Sequence, residues 1–247
     1  MTVNTFVVLP AYNEELALPR VLTKLARMYA QGKLQGVVLV VDDGSEDRTA
    51  RIAREWGEPV RCVSHAQNMG LGAALRTGLS HAADVAHDDD IIVTMDADDT
   101  HDPALILRMV HELGQEYDVV IASRFCENSS TSGVSAARQF MSWMAGQLFR
   151  LLLPMQGVRD YTSGFRAYRA GTLKRVIVRW GELFIDRDDF SSMPRLLLRF
   201  RRLEARATEV PMVLRYDLKP TATKMHVGSN ITANLRLILQ ELHDRDR

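Results

Sequence analysis

The chain has 247 residues, of which 31 are Lys or Arg and 31 are Asp or Glu, so its formal net charge is zero. This balance gives no sign of a nucleic-acid-binding protein, and the length suits one large domain with a sizeable core. Two cysteines make no disulfide framework, the first residues lack a secretory signal pattern, and no apolar run reaches the roughly 20 residues that span a bilayer. We therefore expect a cytoplasmic protein whose contact with a membrane is peripheral, at the cytoplasmic face.

The first half of the chain alternates predicted strands and helices. The strands are β-branched and apolar on both faces, which is typical of a buried parallel sheet. Such alternation predicts a mainly parallel sheet with helices on both faces. In chain order we predict strand 4–9, a helix to about 29 with Asn13 as its N-cap, strand 36–41, helix 46–56, strand 60–64, a glycine turn at 68–72 that opens a helix to about 86, strand 91–95, helix 103–113 and strand 117–122.

After residue 124 the pattern changes. A small polar stretch at 127–135 predicts a loop, and residues 140–154 predict an apolar helix flanked by Arg138 and Arg150. Its near all-round apolarity leaves two interpretations open, a helix packed inside the protein or a helix lying in a membrane interface. We predict next a strand at 163–168, helices at 170–180 and 194–202, a strand at 207–214 and an amphipathic helix at 231–242.

A group of carboxylates follows the apolar run at 91–95. Asp96 and Asp98 are two residues apart, so both side chains lie on the same side of an extended chain. Hard carboxylate oxygens suit Mg²⁺ or Mn²⁺, whose coordination is usually completed by water and substrate phosphates. The alternative is that these carboxylates only form turns and cap the next helix.

Other predicted strands also end in polar residues, which favours a site over isolated caps. Ligands of parallel sheets bind at the carboxyl ends of the strands, so we expect these segments to converge on one crevice. There Asp43 can accept hydrogen bonds from a base or ribose, and Gly70 and Gly72 permit close approach of a ligand to the backbone. The segments are Tyr12-Asn13-Glu14, Asp42-Asp43, Asn68-Met69-Gly70, Asp96-Ala97-Asp98 and Ser123-Arg124.

Phosphate-binding motifs of several other nucleotide enzymes do not occur in the sequence. No G-x-x-x-x-G-K-[ST] is present, and residues 70–75 lack the last glycine of the dinucleotide fingerprint. This disfavours kinases, ATPases and dehydrogenases. A metal next to a nucleotide-binding crevice instead favours an enzyme whose substrate has a diphosphate leaving group, because the metal would neutralise the charge of that group.

Six motifs in this order resemble the family 2 glycosyltransferases of the GT-A fold, and within them the polyprenyl-phosphate glycosyltransferases such as dolichol-phosphate mannose synthases. The resemblance implies an α/β nucleotide-diphospho-sugar transferase fold, with a GT-A domain over 1–215 and a closing loop and amphipathic helix over 216–247 in the same domain. The motifs are Leu9-Pro10-Ala11-Tyr12-Asn13-Glu14, Asp42-Asp43-Gly44-Ser45, Asn68-Met69-Gly70-Leu71-Gly72, Asp96-Ala97-Asp98, Ser123-Arg124 and Thr162-Ser163-Gly164-Phe165-Arg166-Ala167-Tyr168, with weaker matches at Glu209-Val210-Pro211 and Arg215.

The resemblance also implies roles for individual residues. Nucleotide-binding positions are matched by Pro10, Ala11, Tyr12, Glu14 and Asp43, and those of the adjoining loop by Asn68 and Gly70. The metal and sugar-diphosphate site is matched by Asp96, Ala97 and Asp98, with Thr100 where the family often has Gln or Ser as a further ligand. Phosphate-binding positions, including that for a lipid acceptor, are matched by Arg124, Arg138 and Ser142, and a clamp on the diphosphate by Arg215 and Lys224.

Two segments depart from the family pattern. The closing R-x-x-G-x-S-K is longer here, over 215–224, and lacks the glycine, so Lys219 competes with Lys224 for the clamp. Residues 190–195 lack the acidic residue that the family usually has before Glu209. The second departure weakens the assignment of the acceptor from the resemblance.

The acceptor decides which chemistry is needed. A phosphate monoester is already ionised near neutral pH, so a transferase acting on it needs no general base, and Arg124 and Arg138 suit its binding. A hydroxyl acceptor would need a carboxylate base, for which Asp188-Asp189 is the candidate, although that pair also suits a solvated turn or helix start.

Three functions follow from these alternatives. The leading one is a metal-dependent, inverting transfer of a hexose, mannose or glucose, from a GDP- or UDP-sugar to polyprenyl or dolichyl phosphate. The second is transfer to a soluble hydroxyl acceptor, and the third is a non-catalytic protein that binds nucleotide sugar or a membrane surface.

Overall fold

Seven strands form the central sheet of the computed structural model, which describes residues 3–220 and 227–243 apart from the side chains of Arg138 and 227–230. Two further short strands pair with each other. The strands are β1 (Thr5–Ala11), β2 (Val38–Asp42), β3 (Val60–Ser64), β4 (Ile91–Thr94), β5 (Val119–Ser123), β6 (Ser130–Ser132), β7 (Arg166–Arg169), β8 (Ala207–Pro211) and β9 (Val213–Arg215).

The sheet has the order β3-β2-β1-β4-β7-β5-β8. All neighbouring pairs are parallel except those of β7, which runs antiparallel to β4 and to β5. The carboxyl ends of β1, β2, β4 and β5 therefore lie at one edge of the sheet, as a single site formed by the strand-end residues requires.

Helices cover both faces of the sheet, and they are α1 (Leu18–Ala30), α2 (Thr49–Glu55), α3 (Leu71–Val85), α4 (Leu105–Leu113), α5 (Ala136–Leu152), α6 (Ala170–Trp180), α7 (Ser192–Arg202) and α8 (Val227–His243). Successive residues of β1 point to opposite faces. Val7 packs in the cluster with α1, α2 and α4, whereas Val8 packs in the cluster with α3, α5, α6, α7 and α8. The expected α/β architecture, mainly parallel with helices on both faces, is confirmed.

Several details of the local structure differ from the sequence predictions, including the starts of β7 and α5, which the sequence predicts at 163 and 140. The first helix begins at Leu18, because Asn13 has φ 52° and its Oδ1 accepts a hydrogen bond from the backbone of Glu46 instead of capping α1. The polar stretch at 127–135 contains β6, and the strand predicted at 207–214 is divided into β8 and β9. β6 forms because it pairs in parallel with β9, a long-range contact.

A buried ion cluster joins α7 to α8. The Arg195 guanidinium contacts the carboxylates of Asp186 and Glu241, and Arg202 lies 2.9 Å from the second oxygen of Glu241. Glu241 and Arg195 are both buried. Removing one partner of such a pair is costly, because the remaining charge stays buried, so the cluster fixes α8 against the core.

The helix predicted at 231–242 is present as part of α8, and its Leu237 and Ile238 are buried in the core. The assignment of 1–215 and 216–247 as two parts of one domain stays a prediction. Among the described residues, no helix combines the length and apolarity that crossing a membrane requires.

Candidate active site

Asp43 lies at the carboxyl end of β2, where its backbone N–H donates to Ala11. Its carboxylate is buried and contacts His65 Nδ1 at 2.6 Å. It also accepts hydrogen bonds from the backbone N–H groups of Met69 (3.0 Å) and Gly70 (2.8 Å). His65 in turn contacts Thr77 Oγ1 at 2.9 Å. Asp43 therefore organises the loop that leads into α3, and its contact with a base or ribose stays a prediction.

The glycines of that loop face another part of the chain. A Cβ atom on Gly70 would lie 2.4 Å from the backbone oxygen of Asp188, and one on Gly72 would lie 1.6 Å from that of Arg187. The Gly72 N–H donates to the Asp188 oxygen at 3.1 Å. The expected close approach to the backbone is thus made by the chain's own residues 187 and 188, and ligand contact with Gly70 stays a prediction.

Asp98 is largely buried and both of its carboxylate oxygens are engaged. Oδ1 accepts hydrogen bonds from the backbone and the hydroxyl of Thr100, and Oδ2 lies 2.6 Å from Lys219 Nζ. Burial alone would raise the pKa of the Asp98 carboxyl, but the Lys219 ammonium and the hydrogen bonds bring it below its ordinary value. Burial would lower the pKa of Lys219, whereas Asp98 and Glu14 raise it. The pair is therefore ionised.

Asp96 is the more accessible carboxylate, with 46% of its side chain exposed. Its Oδ2 lies 3.9 Å from His101 Nε2, while its backbone N–H donates to the other ring nitrogen of this histidine. A Cβ atom on Gly164 would lie 3.2 Å from Asp96 Oδ1, so the absence of a side chain there leaves room for the carboxylate. His101 stacks on Phe165, which fixes the ring.

These carboxylates meet the chemical requirements of a divalent-metal site, because both are hard oxygen donors and Asp98 already contacts a positive charge at 2.6 Å. The described residues contain no group of three or more His, Cys, Asp or Glu side chains suited to holding a metal, so the remaining ligands would be substrate oxygens and water. Thr100 is buried and its hydroxyl donates to Asp98, which makes it an orienting residue for that carboxylate. Its role as a ligand stays a prediction that this contact does not favour.

Arg124 lies just after β5 and is paired with a buried carboxylate. Its Nε and Nη2 donate to the two oxygens of Asp160 at 2.8 and 2.6 Å, and Nη2 also donates to Thr162 Oγ1. Burial alone would raise the pKa of Asp160, but the Arg124 guanidinium lowers it below its ordinary value. Among the described residues Nη1 of Arg124 has no hydrogen-bond partner, so it is available to an anion.

Asp96 and Arg124 line the same cleft, which has a volume of about 460 Å³. Ser142, one of the predicted phosphate-binding residues, also lines it, and the rest of the wall is largely apolar. The apolar lining comes from α5, the start of α7 with the residues before it, the β8–β9 region and α8. It includes Phe140, Met141, Trp143, Ala145, Phe190, Met193, Met212, Leu214 and Ile231.

Several residues assigned to the nucleotide lie at or just after the ends of β1 and β4, which are neighbours in the sheet. Pro10 and Ala11 are the last two residues of β1, Tyr12 and Glu14 follow them, and Ala97 is buried in the apolar core. The exposed Asn68 accepts a hydrogen bond from the Gly70 N–H. The nucleotide-binding role of each of these residues stays a prediction.

The predicted clamp and acceptor residues are only partly described. The guanidinium of Arg215 pairs with Asp217 at 2.7 Å, and its backbone N–H donates to the Thr100 oxygen. Lys224 lies outside the described residues. Arg138 falls within α5, and its side chain is outside the described part of the chain. The assignments of all three stay predictions.

The candidate general bases have other contacts. Asp189 Oδ1 accepts hydrogen bonds from the backbone and hydroxyl of Ser191 at the start of α7, and Asp188 Oδ1 lies 3.3 Å from Arg76. Neither residue is among those that line the cleft. These contacts favour the turn and helix-start interpretation of this pair.

Asp160 and His65 were not assigned to the site from sequence. Asp160 stands two residues before the Thr162–Tyr168 motif. A carboxylate so close to one motif is a candidate partner for the arginine of the preceding motif, and this signal could have identified Asp160. His65 follows β3 directly, in the same strand-end position as the other polar residues.

Similar proteins are known for most of the chain. The family model for Glycosyl transferase family 2 matches residues 6–177. An uncharacterized protein of Methanocaldococcus jannaschii is 30% identical over 243 residues, which are 95% of this chain and 89% of that protein. An undecaprenyl-phosphate mannosyltransferase of Micrococcus luteus is 32% identical over 208 residues, 83% of this chain and 81% of that protein.

Solved structures share the fold. Glucosyl-3-phosphoglycerate synthase from Mycobacterium tuberculosis, in complex with Mn²⁺, uridine diphosphate and phosphoglyceric acid, matches with a TM-score of 0.67 and 23% identity. The match covers 98% of this chain and 78% of that one.

Proposed function

The chain belongs to Glycosyl transferase family 2, and we propose that it transfers a hexose from a nucleotide sugar to a polyprenyl phosphate. That it is a glycosyltransferase with a GT-A-like fold, and that it resembles polyprenyl-phosphate mannosyltransferases, is confirmed by the family model and the relatives. The donor, the acceptor, the metal and the stereochemical course are the parts that we propose.

The single observation that carries the proposal is the composition of the cleft. The cleft combines the charged groups of Asp96 and Arg124 with large apolar side chains such as Phe140 and Trp143. A phosphate joined to a long hydrocarbon chain likewise combines a charged head with an apolar tail. A small polar acceptor would leave the apolar wall without a partner.

Arg124 suits the head of such an acceptor. Its pairing with Asp160 fixes the guanidinium plane, and Nη1 remains to donate to a phosphate oxygen. The phosphate oxygen is already ionised near neutral pH, so it can attack the anomeric carbon without a general base. The bond from that carbon to the donor diphosphate breaks in the same displacement, which inverts the configuration.

Asp96 and Asp98 are the residues that would hold a divalent metal, Mg²⁺ or Mn²⁺. The metal would neutralise charge on the diphosphate leaving group. Asp98 is oriented for this by Thr100, and Asp96 has room because residue 164 is glycine. Mn²⁺ accompanies uridine diphosphate in the synthase of the same fold, which supports a divalent metal here.

We also propose peripheral contact with a membrane through α5. Phe140, Trp143, Met144 and Leu151 are exposed on this helix at spacings of three, one and seven residues, so they share one face. Phe140 and Trp143 also line the cleft. A lipid acceptor could thus pass from the bilayer to the cleft along the same helix.

The test is transfer from a panel of GDP- and UDP-sugars, with Mg²⁺ or Mn²⁺, in parallel reactions with short-chain polyprenyl phosphate, with phosphoglyceric acid and without acceptor. We expect glycosylated product only with the polyprenyl phosphate, and the active donor identifies the sugar. Product with phosphoglyceric acid or another soluble acceptor would replace the lipid proposal. Binding of a nucleotide sugar with no turnover on any acceptor would indicate the non-catalytic alternative.

A further inference from the structure

Lys219 pairs with Asp98, one of the two proposed metal ligands. Its Nζ lies 2.6 Å from Asp98 Oδ2, and only 11% of the lysine side chain and 9% of the aspartate side chain are exposed. The other carboxylate oxygen is already used by two donors of Thr100. Asp98 therefore has no carboxylate oxygen without a contact.

The segment that carries Lys219 is attached next to the same carboxylate. The Arg215 N–H donates to the backbone oxygen of Thr100 at 3.0 Å, and the following 3-10 turn, Tyr216–Leu218, leads directly to Lys219. A Cβ atom on Gly133 would lie 2.6 Å from the backbone nitrogen of Asp217, so the turn also packs closely on the β6 region. The short, closely packed turn at 216–218 thus holds Lys219 next to Asp98.

We propose that Lys219 and a divalent cation are alternative occupants of the Asp98 carboxylate, so that metal loading displaces Lys219 and releases the turn at 216–218 from the cleft. Tyr216 lines the cleft, so its release changes the wall beside Asp96 and Arg124. The inference rests on the proposed function only in taking Asp98 as a metal ligand.

Electrostatics favours the exchange. A divalent metal and the Lys219 ammonium would both bind the carboxylate of Asp98, and like charges so close together in a largely buried place repel strongly. Each therefore weakens the binding of the other to Asp98, and the exchange relieves this repulsion.

The neighbouring pair supplies a matched control. Lys24 Nζ lies 2.5 Å from Oδ1 of Asp99, the residue next to Asp98, but Asp99 is not one of the proposed ligands. Replacing Lys24 removes a lysine charge from the neighbouring carboxylate without freeing an oxygen of Asp98. The comparison separates competition for the carboxylate from a general gain in negative charge.

The experiment measures Mn²⁺ binding to the full chain by electron paramagnetic resonance, with no nucleotide and no acceptor. We expect Lys219→Met to bind Mn²⁺ about tenfold more tightly than the wild type, a size usual for coupled contacts. Lys219→Arg, which keeps the cation, and Lys24→Met should bind as the wild type does. Equal affinity of Lys219→Met and wild type, an equal gain in Lys24→Met, or no Mn²⁺ binding by any form would overturn the proposal.

A second measurement uses the unmodified protein, in case Lys219→Met does not fold. The reactivity of Lys219 toward an acetylating reagent is followed by mass spectrometry, with Lys24 as the internal reference. Mn²⁺ alone should raise the labelling of Lys219 and leave that of Lys24 unchanged, and unchanged labelling of Lys219 at saturating Mn²⁺ would refute the exchange. Neither measurement involves sugar transfer, so a wrong donor or acceptor does not affect the result.

Discussion

Each carboxylate of the run from Asp96 to Asp99 has a different environment. Asp99 pairs with Lys24, Asp98 pairs with Lys219, and Asp96 keeps nearly half of its side chain exposed. Asp96 and Asp98 stay proposed metal ligands, whereas Asp99, whose φ is 65°, pairs with Lys24 of α1. These residues look equivalent in the sequence, and the fold gives them different surroundings.

Replacing Asp98 tests the centre of this site. In Asp98→Asn the side chain keeps its size, but the charge that a metal or Lys219 neutralises is lost. We expect the rate of sugar transfer to fall by about 10²- to 10³-fold, the usual size for removing one electrostatic stabiliser of a transition state. Asp102→Asn is the matched control, because Asp102 is exposed and its role as acceptor from the Ala104 N–H is within the capacity of asparagine. A wild-type rate in Asp98→Asn would remove Asp98 from the site.

The pair of Arg124 and Asp160 gives a pH prediction. Since the folded-state pKa of Asp160 is lowered, its ionised form stabilises the fold above its unfolded pKa of about 4, and this contribution is lost as the pH falls through the folded value. At pH 7 we expect Asp160→Asn to lower the free energy of unfolding by about 3–5 kcal/mol, because Arg124 loses its buried partner. The difference from the wild type should shrink at pH values well below 4, as measured by urea denaturation.

An exposed pair serves as the control for that measurement. Asp217 contacts Arg215 at 2.7 Å but lies in solvent, where the attraction is screened. Asp217→Asn should therefore change the unfolding free energy far less than Asp160→Asn. A pH-independent effect of Asp160→Asn would show that the side chain acts through packing and not through its charge.

At the scale of elements, α5, which the sequence left open as a core helix or a membrane-interface helix, has both a buried and an exposed apolar side. Phe149 of this helix is buried in the core, while Phe140 and Leu151 are exposed by 58% and 77%. One side of the helix packs inside the protein and the opposite side is apolar and uncovered within the described structure. The composition alone could not separate these interpretations, because both faces are apolar.

The exposed face of α5 is tested by the double variant Phe140→Ser and Trp143→Ser. We expect reduced co-sedimentation with liposomes and a lower rate with long-chain polyprenyl phosphate, because apolar area that enters the interface is lost. Donor binding should be retained. Val178→Ser is the matched control, since Val178 is an apolar residue that is 85% exposed on a different helix, α6. Equal liposome binding of the double variant and the wild type would place the membrane contact elsewhere.

The elements that could be predicted are those whose patterns are local. The strand at 60–64 and the helix at 170–180 have the predicted bounds, and the buried strands β1, β2, β4 and β5 fall within about two residues of theirs. β6 could not be predicted, because Ser130–Ser132 becomes a strand only by pairing with β9, more than 80 positions away. The start of α1 was missed for a similar reason, since the backbone of Glu46 donates to the Asn13 side chain.

The residues of the candidate site also divide into those with a local sequence signal and those that depend on long-range contacts. Its strand-end residues were predictable, because a parallel sheet brings its carboxyl ends together whatever the details of packing. The counter-charges were not, because Asp160 lies 36 positions from Arg124 and Lys219 lies 121 positions from Asp98. Pairing at such separations depends on the whole fold.

For the whole molecule, the two halves of the chain contribute different parts of the site. Residues up to Ser123 provide the strand ends with Asp43, Asp96 and Asp98, and the later residues provide most of the apolar wall and the cations Arg124 and Lys219. Since Lys219 already neutralises Asp98, the fold is electrostatically complete without a metal. A metal added to this protein should therefore serve ligand binding and not folding.

This distinction is measurable by chelation. Ethylenediaminetetraacetate should abolish sugar transfer but shift the thermal midpoint of the nucleotide-free protein by less than about 2 °C, which corresponds to under 1 kcal/mol for a chain of this size. Mn²⁺ together with a nucleoside diphosphate at a hundred times its dissociation constant should stabilise the protein by about 2.7 kcal/mol and raise the midpoint by roughly 5–10 °C. The Asp98→Asn variant should lose this rise, and its metal-free midpoint should also fall below that of the wild type, because Lys219 loses its largely buried partner. A large fall in the midpoint on chelation alone would instead indicate a structural metal, since only a cation bound in the resting protein could then support the fold.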